Sequence, residues 1–423
     1  MPFINHFLNH LSAQAPKRYL KSAFWITSSR IISMAISLAS TFYIARTLGP
    51  QNFGELSYAQ SVIGILALFG ALAGSLYRDI VKHPYREGVL LGTAWVVSLA
   101  TSVVTAFLAL SYAFLTPHSI LTIWVIALLC LAQFISPFAI IQNVFYAKTE
   151  TKVLALVNLS IHITISLAKI LAMIEGNGVL ILASILVLEQ LLIAVTYSFM
   201  YVKLHRQSFT NWSFNASYAK TLIHDSIPLM IVAGSGAIAA RIDQIFIKHS
   251  LDIASVGLYG MAVQLSELWQ FLPGAILTAF FPAIIHARTN IESYRRRIFS
   301  LIGIFIVYGV GISAVMSFLA PTIISFIYGN AFFAGFNIFR IYIWSLTGMI
   351  VGFIVQYLLM AENLRRIQIY TAVIPAVINV ILNILLIPRL GSSGAAIATV
   401  VSYTIAPFIP FCFPATRQTL WQK

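Results

Sequence analysis

The chain has 423 residues, of which 59% are hydrophobic and only 9% charged, with a formal net charge of +14. A soluble domain carries roughly 25% charged residues. This chain therefore cannot cover a globule with polar groups, and an integral membrane protein follows. Its apolar runs reach ~20 residues or more, the length of a spanning helix, which excludes the ~10-residue alternating segments of a membrane β-barrel.

Taken in chain order, twelve spans are predicted, at roughly 22–44, 55–77, 88–115, 119–146, 152–174, 178–202, 226–249, 256–283, 298–327, 337–360, 367–387 and 394–416. The chain begins with a polar stretch, and the first apolar run is too long for a signal-peptide core and lacks a small-residue cleavage site, so it reads as a retained helix. The longest polar interruption, KLHRQSFTNWSFNASYAKTLIHD (203–225), divides the spans six and six. The expected organisation is a tail (1–21), a first lobe (22–202), a linker (203–225), a second lobe (226–416) and a tail (417–423).

The halves resemble each other. FYIARTLGPQNFGELSYA (42–59) lies over IFIKHSLDIASVGLYGMA (245–262), matching Leu48 with Leu251, Gly54 with Gly257 and Ala59 with Ala262. IEGNG (174–178) matches LGSSG (390–394) in position. The expected fold class is thus an all-α polytopic membrane protein, about twelve transmembrane helices in two six-helix pseudo-symmetric lobes, related by an axis along the membrane normal.

Of the 26 Lys and Arg, nineteen fall in loops on one side, and three (Arg46, Lys248, Arg389) on the other. The bias alternates loop by loop and places both termini in the cytoplasm. It also accounts for the basic balance, so YRRR (294–297) reads as a solvated loop beside anionic lipid, and nucleic acid is not an expected partner. Cys130 and Cys412 have no metal or disulfide spacing and read as buried, inert thiols.

Four basic residues remain inside spans: Arg30, Lys169, Arg241 and Arg340. A charge at a helix centre costs about 2.5–3.5 kcal/mol on insertion scales, so such residues face a bundle interior or a wet cavity. Arg30 and Arg241 are the deepest. Lys169 and Arg340 lie near span ends, where snorkelling to the headgroups is the alternative.

Thr27, Arg30, Met34, Ser37 and Thr41 share one helix face, as do Asn158, His162, Ser166 and Lys169, and Gln368, Thr371, Pro375, Asn379 and Asn383. These stripes predict a polar, cationic central cavity lined by Ser37, Thr41, Asn158, His162, Asn379 and Asn383. His162 and His224 belong to no carboxylate–histidine grouping with a recognisable spacing and read as lone structural histidines.

Three acids are also buried: Glu189, Asp243 and Glu267. Each is a candidate ion-pair partner or coupling carboxylate: Asp243 either pairs with a basic residue of another span or couples transport to protons, and for Glu189 and Glu267, near span ends, plain hydration is the alternative. Aromatics such as Trp25, Tyr58, Tyr259 and Trp269 could stack on sugars or anchor at the interface.

Walker A, GxSxG and HExxH motifs are missing, and the loops opposite the basic side are short, leaving little room for an extramembrane active site. An enzyme is not the expected reading, and no cofactor or metal is expected.

ARTLGPQNFGELSYAQS (45–61), DQIFIKHSLDIASVGLYGMAVQL (243–265), YGNAFFAGFNIFRIYIW (328–344) and NVILNILLIPRLGSSGAAIATVVSYT (379–404) resemble signature blocks of the polysaccharide or O-antigen flippases of the multidrug/oligosaccharidyl-lipid/polysaccharide exporter superfamily. The resemblance runs along nearly the whole chain. It implies alternating access in a bacterial inner membrane, with an undecaprenyl-diphosphate-linked glycan as substrate. It further implies coupling to H+ or Na+, and polymerase and chain-length proteins as downstream partners. The rival readings are a multidrug cation exporter of the same superfamily, which would want an acidic cavity, a membrane glycan polymerase, and a non-transporting scaffold.

Overall fold

Inside hydrocarbon every backbone N–H and C=O must be satisfied within its own segment, so the apolar runs fold as helices. The computed structural model describes residues 17–67, 73–277 and 291–417. In chain order the helices are α1 (Lys17–Leu66), α2 (Ala73–Lys82), α3 (Glu87–Leu115), α4 (Ile120–Ile135), α5 (Gln142–Ala147), α6 (Thr151–Ile174), α7 (Val179–His205), α8 (Ala216–Ser250), α9 (Ile253–Glu267), α10 (Ile291–Ile327), α11 (Phe336–Tyr342), α12 (Ser345–Ala361), α13 (Arg365–Leu390), α14 (Ser392–Ile405) and α15 (Pro414–Arg417). Short 3₁₀ turns join several of them. Among the described residues there are no strands.

At 50 residues, α1 is too long for one span: a straight helix of that length would run about 75 Å through a hydrocarbon layer of about 30 Å. Gly49 breaks it, with φ 70° and ψ 172°, a conformation that glycine reaches without steric cost. Residues at similar distances on either side of Gly49, Thr41 with Ser57 and Ser37 with Gln60, line one cavity. The chain therefore reverses there, and α1 supplies the first two spans.

Nine helices among the described residues are long and apolar enough to cross a membrane, and the pair Asn330–Tyr342 and Ser345–Ala361, bent by 46°, makes a tenth. Dividing α1 at Gly49 and adding the run that begins with α9 gives the twelve expected. Residues 278–283 of the predicted eighth span lie outside the described residues, as do 1–16 of the tail, Arg288 and Lys423. The linker is shorter than expected, because α7 continues to His205 and α8 starts at Ala216. It straps onto α3: a Cβ on Gly88 or Gly92 would fall 2.4 Å from the Asn211 oxygen or 2.7 Å from the Ser213 nitrogen. The Asn215 N–H donates to Thr93 Oγ1 at 3.0 Å.

In the first lobe α1 packs on α6, and α4 on α3 and α7; in the second α13 packs on α8 and α14, and α10 on α12. The lobes meet where α1 crosses α8 and α9. At the Gly49 end they touch backbone to backbone. A Cβ on Gly54 would sit 2.0 Å from the Ile253 oxygen, and one on Gly257 1.9 Å from the Pro50 oxygen, a small-residue crossing of the kind that lets membrane helices approach closely. One hydrophobic cluster runs across this seam, taking in Phe53 and Tyr58 as well as Val256 and Tyr259.

Lys148 lies 3.3 Å from Glu87 and Arg78 3.6 Å from Asp225 at one end. At the other end Arg46 Nη1 donates to the Phe326 carbonyl at 3.1 Å. Cys130 is buried, but Cys412 is exposed, which corrects the expectation of two buried thiols.

Candidate functional site: a cleft between the lobes

Beneath the Gly54–Gly257 crossing lies a cavity of about 370 Å³, lined from both lobes. The first lobe contributes Ser37, Thr41, Ser57, Gln60 and Lys169, and the second Arg241, Gln244, Gln264 and Glu267. Arg241 reaches across the seam. A Cβ on Gly64 of α1 would lie 2.8 Å from its Cδ and 2.9 Å from its Nε, so Gly64 makes the room in which the guanidinium stem rests. Among the described residues no ion pair engages Arg241. The Glu267 carboxylate is close enough to feel its charge. Lys169 does not snorkel: its Nζ turns inward to Glu189 Oε2 at 3.1 Å, and Glu189 Oε1 lies 3.4 Å from His162 Nδ1.

The cavity thus brings together four of the predicted residues, Arg241, Lys169, Ser37 and Thr41, and places Glu267 with them. Arg30 belongs to α1, but its side chain lies outside the described residues. Other expectations need correction. Arg340 is exposed on α11 and is not part of this cavity's lining. Asn158 is held inside the first lobe, where Tyr197 donates to its Oδ1 at 2.6 Å. His162 is joined to the cavity only through Glu189 and Lys169. It is not a lone histidine, and neither is His224, 3.7 Å from Asp225. Glu189 is an ion-pair partner. Tyr58 and Tyr259 are fully buried and offer no face to a sugar.

Asn379 and Asn383 do not line the cleft; both are 0% exposed. They surround Asp243, which is 1% exposed and faces neutral donors rather than a base, so the ion pair that was one of its two expected roles is not formed. Thr399 Oγ1 donates to Asp243 Oδ2 at 2.6 Å and Asn383 Nδ2 to Oδ1 at 2.5 Å; Tyr259 OH donates to Oδ2 as well. Asn379 Nδ2 reaches Thr399 Oγ1 at 3.4 Å. Helices α8, α9, α13 and α14 thereby converge on one carboxylate. The Asn383 side-chain oxygen has no hydrogen-bond partner among the described residues.

Three glutamines of the lining, Gln60, Gln244 and Gln264, escaped the sequence reading. The signal was present: an amide inside an apolar run has a desolvation cost much as a charge does. The side-chain oxygens of Gln244 and Gln264 are buried and unpartnered among the described residues, so two amides of the lining have hydrogen-bonding capacity that the protein does not satisfy.

The architecture is that of known transporters. The chain superposes on the inward-facing conformation of a multidrug resistance MATE family transporter of the MOP superfamily with a TM-score of 0.76, at 14% identity, over 92% of this chain and 94% of that one. Against an outward-facing conformation of a MATE family transporter of that superfamily the TM-score is 0.63, at 14% identity, over 96% of both chains. The inward closed conformation of the lipid II flippase MurJ matches with a TM-score of 0.72, at 14% identity, over 92% of this chain and 90% of that one. These similarities define a multi-pass membrane protein with the MOP transporter fold. By sequence, residues 19–288 match the family of polysaccharide biosynthesis proteins, and the chain belongs to that family. No curated protein matches it.

Proposed function

We propose that the protein flips a polyprenyl-diphosphate-linked oligosaccharide, an O-antigen or similar repeat unit on undecaprenyl diphosphate, from the cytoplasmic to the periplasmic leaflet of a bacterial inner membrane by alternating access. The observation that carries this reading is Arg241, unpaired and reaching across the seam into the cleft. A guanidinium suits a diphosphate through its planar fork of donors, and Gln60, Gln244 and Gln264 suit sugar hydroxyls. The basic end is then cytoplasmic, both termini with it, and the Gly54–Gly257 crossing is the closed periplasmic side. The Asp243 cluster is the coupling site, taking H+ or Na+ from the second lobe's interior. Polymerase and chain-length proteins would act on the delivered product.

Glu267 in the same lining is the observation that favours the second reading, export of cationic drugs. Deleting the gene decides between them. The flippase reading expects a lipid-linked glycan to accumulate in the inner leaflet, with export restored by the intact gene and not by Arg241→Ala, although that variant is inserted at normal abundance. Unchanged glycan export together with greater sensitivity to cationic drugs would establish the second reading instead.

A further inference from the structure

A second polar cavity, of about 430 Å³, lies at the basic end. Arg78 of α2 stands on its first-lobe side, Asn363, Arg365 and Gln368 on its second-lobe side, and His224 and Asp225 of α8 between them. Arg78 Nη2 is 3.6 Å from Asp225 Oδ2, and both side chains are about half exposed, 51% and 45%. Tyr218 OH donates to Asp79 Oδ2 at 3.0 Å, which holds α2 beside α8 independently of that ion pair. Two guanidiniums and an imidazole therefore stand around Asp225 across a space large enough for a phosphorylated head group, while Asp79 Oδ1 meets the Nε edge of Arg78 at 3.5 Å and leaves Asp225 as its partner on the cavity side. The ion pair is exposed, and exposed pairs are weak, about 0–1 kcal/mol, so an incoming anion can displace Asp225 from Arg78.

Helix α8 links this vestibule to the central cleft. Asp225, Leu229 and Val232 line the vestibule, and Ala240 and Gln244 line the cleft. Their spacing by three, four and eight puts them on one face of the helix. Gly236 falls on that face between the two groups, and a Cβ there would meet nothing within 4 Å. Along the helix axis Asp225 and Arg241 are about 24 Å apart, at 1.5 Å per residue. Two cation-bearing cavities thus sit toward the two ends of one open helix face.

We propose that the vestibule is a separate diphosphate-binding station, in which Arg78 and Arg365 grip the head group of a polyprenyl diphosphate from opposite lobes before it moves along α8 to Arg241. This rests on the flippase reading. The test uses the full chain in zwitterionic nanodiscs, with geranylgeranyl diphosphate and inorganic pyrophosphate as probes. Two classes of diphosphate site are expected. The pair Arg78→Gln with Arg365→Gln should weaken one class at least tenfold, about 1.4 kcal/mol, and leave the class that Arg241→Gln removes. Replacing the pair by Lys should keep the fold and charge while losing the bidentate part of the affinity. Gly236→Trp should preserve vestibule binding and stop transport. Wild-type binding in the double Gln variant, with a normal Arg241-dependent class, would overturn the vestibule and spare the flippase reading. Absence of any diphosphate binding in the wild type would overturn both. Displacement of the probe by phosphatidylglycerol as readily as by pyrophosphate would make the station an ordinary phospholipid site and end the substrate assignment.

Discussion

Arg241 and Asp243 stand two positions apart on α8, so their side chains leave the helix about 200° apart. Arg241 enters the cleft, where water and an anion can reach it. Asp243 enters the second lobe's core, where Tyr259, Thr399 and Asn383 hydrogen-bond it. A buried carboxylate satisfied by neutral donors is a group whose charge can be exchanged for a proton or balanced by a small cation. Asp243→Asn keeps the shape but turns an acceptor into a donor facing other donors. The expected cost is about 1–3 kcal/mol, read as a lower unfolding temperature of a protein that still inserts. Transport should become insensitive to the ion gradient. If transport by the Asn variant still responded to a collapsed gradient, coupling would have to reside elsewhere. Lys169 illustrates the opposite arrangement: its charge lines the cleft but is already matched by Glu189, whereas among the described residues no ion pair engages Arg241.

Among the elements, the hairpin of α1 and the α8–α9 corner close one end of the molecule. Gly54 and Gly257 each face a backbone oxygen of the other element, and backbone cannot swing aside as a side chain can. Gly54→Ala or Gly257→Ala should therefore force the helices apart and expose the cleft from that end. Labelling of a cysteine placed at Gln60 from the Gly49 side should rise in either variant; unchanged protection would show that this crossing does not seal the cleft.

Beside it runs a chain of hydrogen bonds: His249 to Tyr112 at 2.6 Å, Tyr112 to Tyr58 at 3.0 Å, and Tyr58 to His118 at 2.7 Å. His118 Nδ1 lies 3.0 Å from the Thr116 carbonyl and donates to it, so its Nε2 accepts from Tyr58. His118 sits in the turn between α3 and α4, where burial, helped by nearby Lys248 and opposed by the Thr116 carbonyl, holds its pKa below the ordinary histidine value. A lowered histidine pKa favours the neutral form in the closed state. Its contribution is present above about pH 6.5 and is lost as the pH falls below that value. Acidification on that face should thus loosen the closure, and His118→Gln should remove the dependence. Accessibility labelling across pH 7 to 5 measures it.

At the scale of the whole molecule, one end is sealed by the seam of α1, α8 and α9, and the other carries a roomy basic vestibule. The proposed alternating access requires this asymmetry to invert. A Cβ on Gly260 would lie 3.3 Å from the Ser57 Cβ, near the Cβ separation of a disulfide, about 3.5–4.5 Å. The double substitution Ser57→Cys with Gly260→Cys should form a bond under mild oxidation that locks the seam and stops glycan export, with recovery on reduction. Each single variant should remain active. Export that continues through the oxidised double variant would refute alternation about this seam.

The sequence by itself determined that the chain spans a membrane about twelve times in two matched halves, and which ends of the helices are basic. Hydrophobic length and the distribution of Lys and Arg depend on the bilayer alone, not on which helix meets which. Helical spacing likewise showed which residues share a face: Ser37 with Thr41, and Asn379 with Asn383. Only tertiary structure decided what each face meets. The first pair opens on the cleft and the second closes around Asp243, because α8, α9, α13 and α14 pack tightly while the lobes stand apart below the Gly54–Gly257 crossing. Lys169 and Arg340 both lie near span ends in the sequence, yet Lys169 lines the cleft and Arg340 is exposed on α11 outside its lining. Periodicity orders residues around one helix axis; the partner of each stripe is a property of packing between distant segments, and no local pattern encodes it.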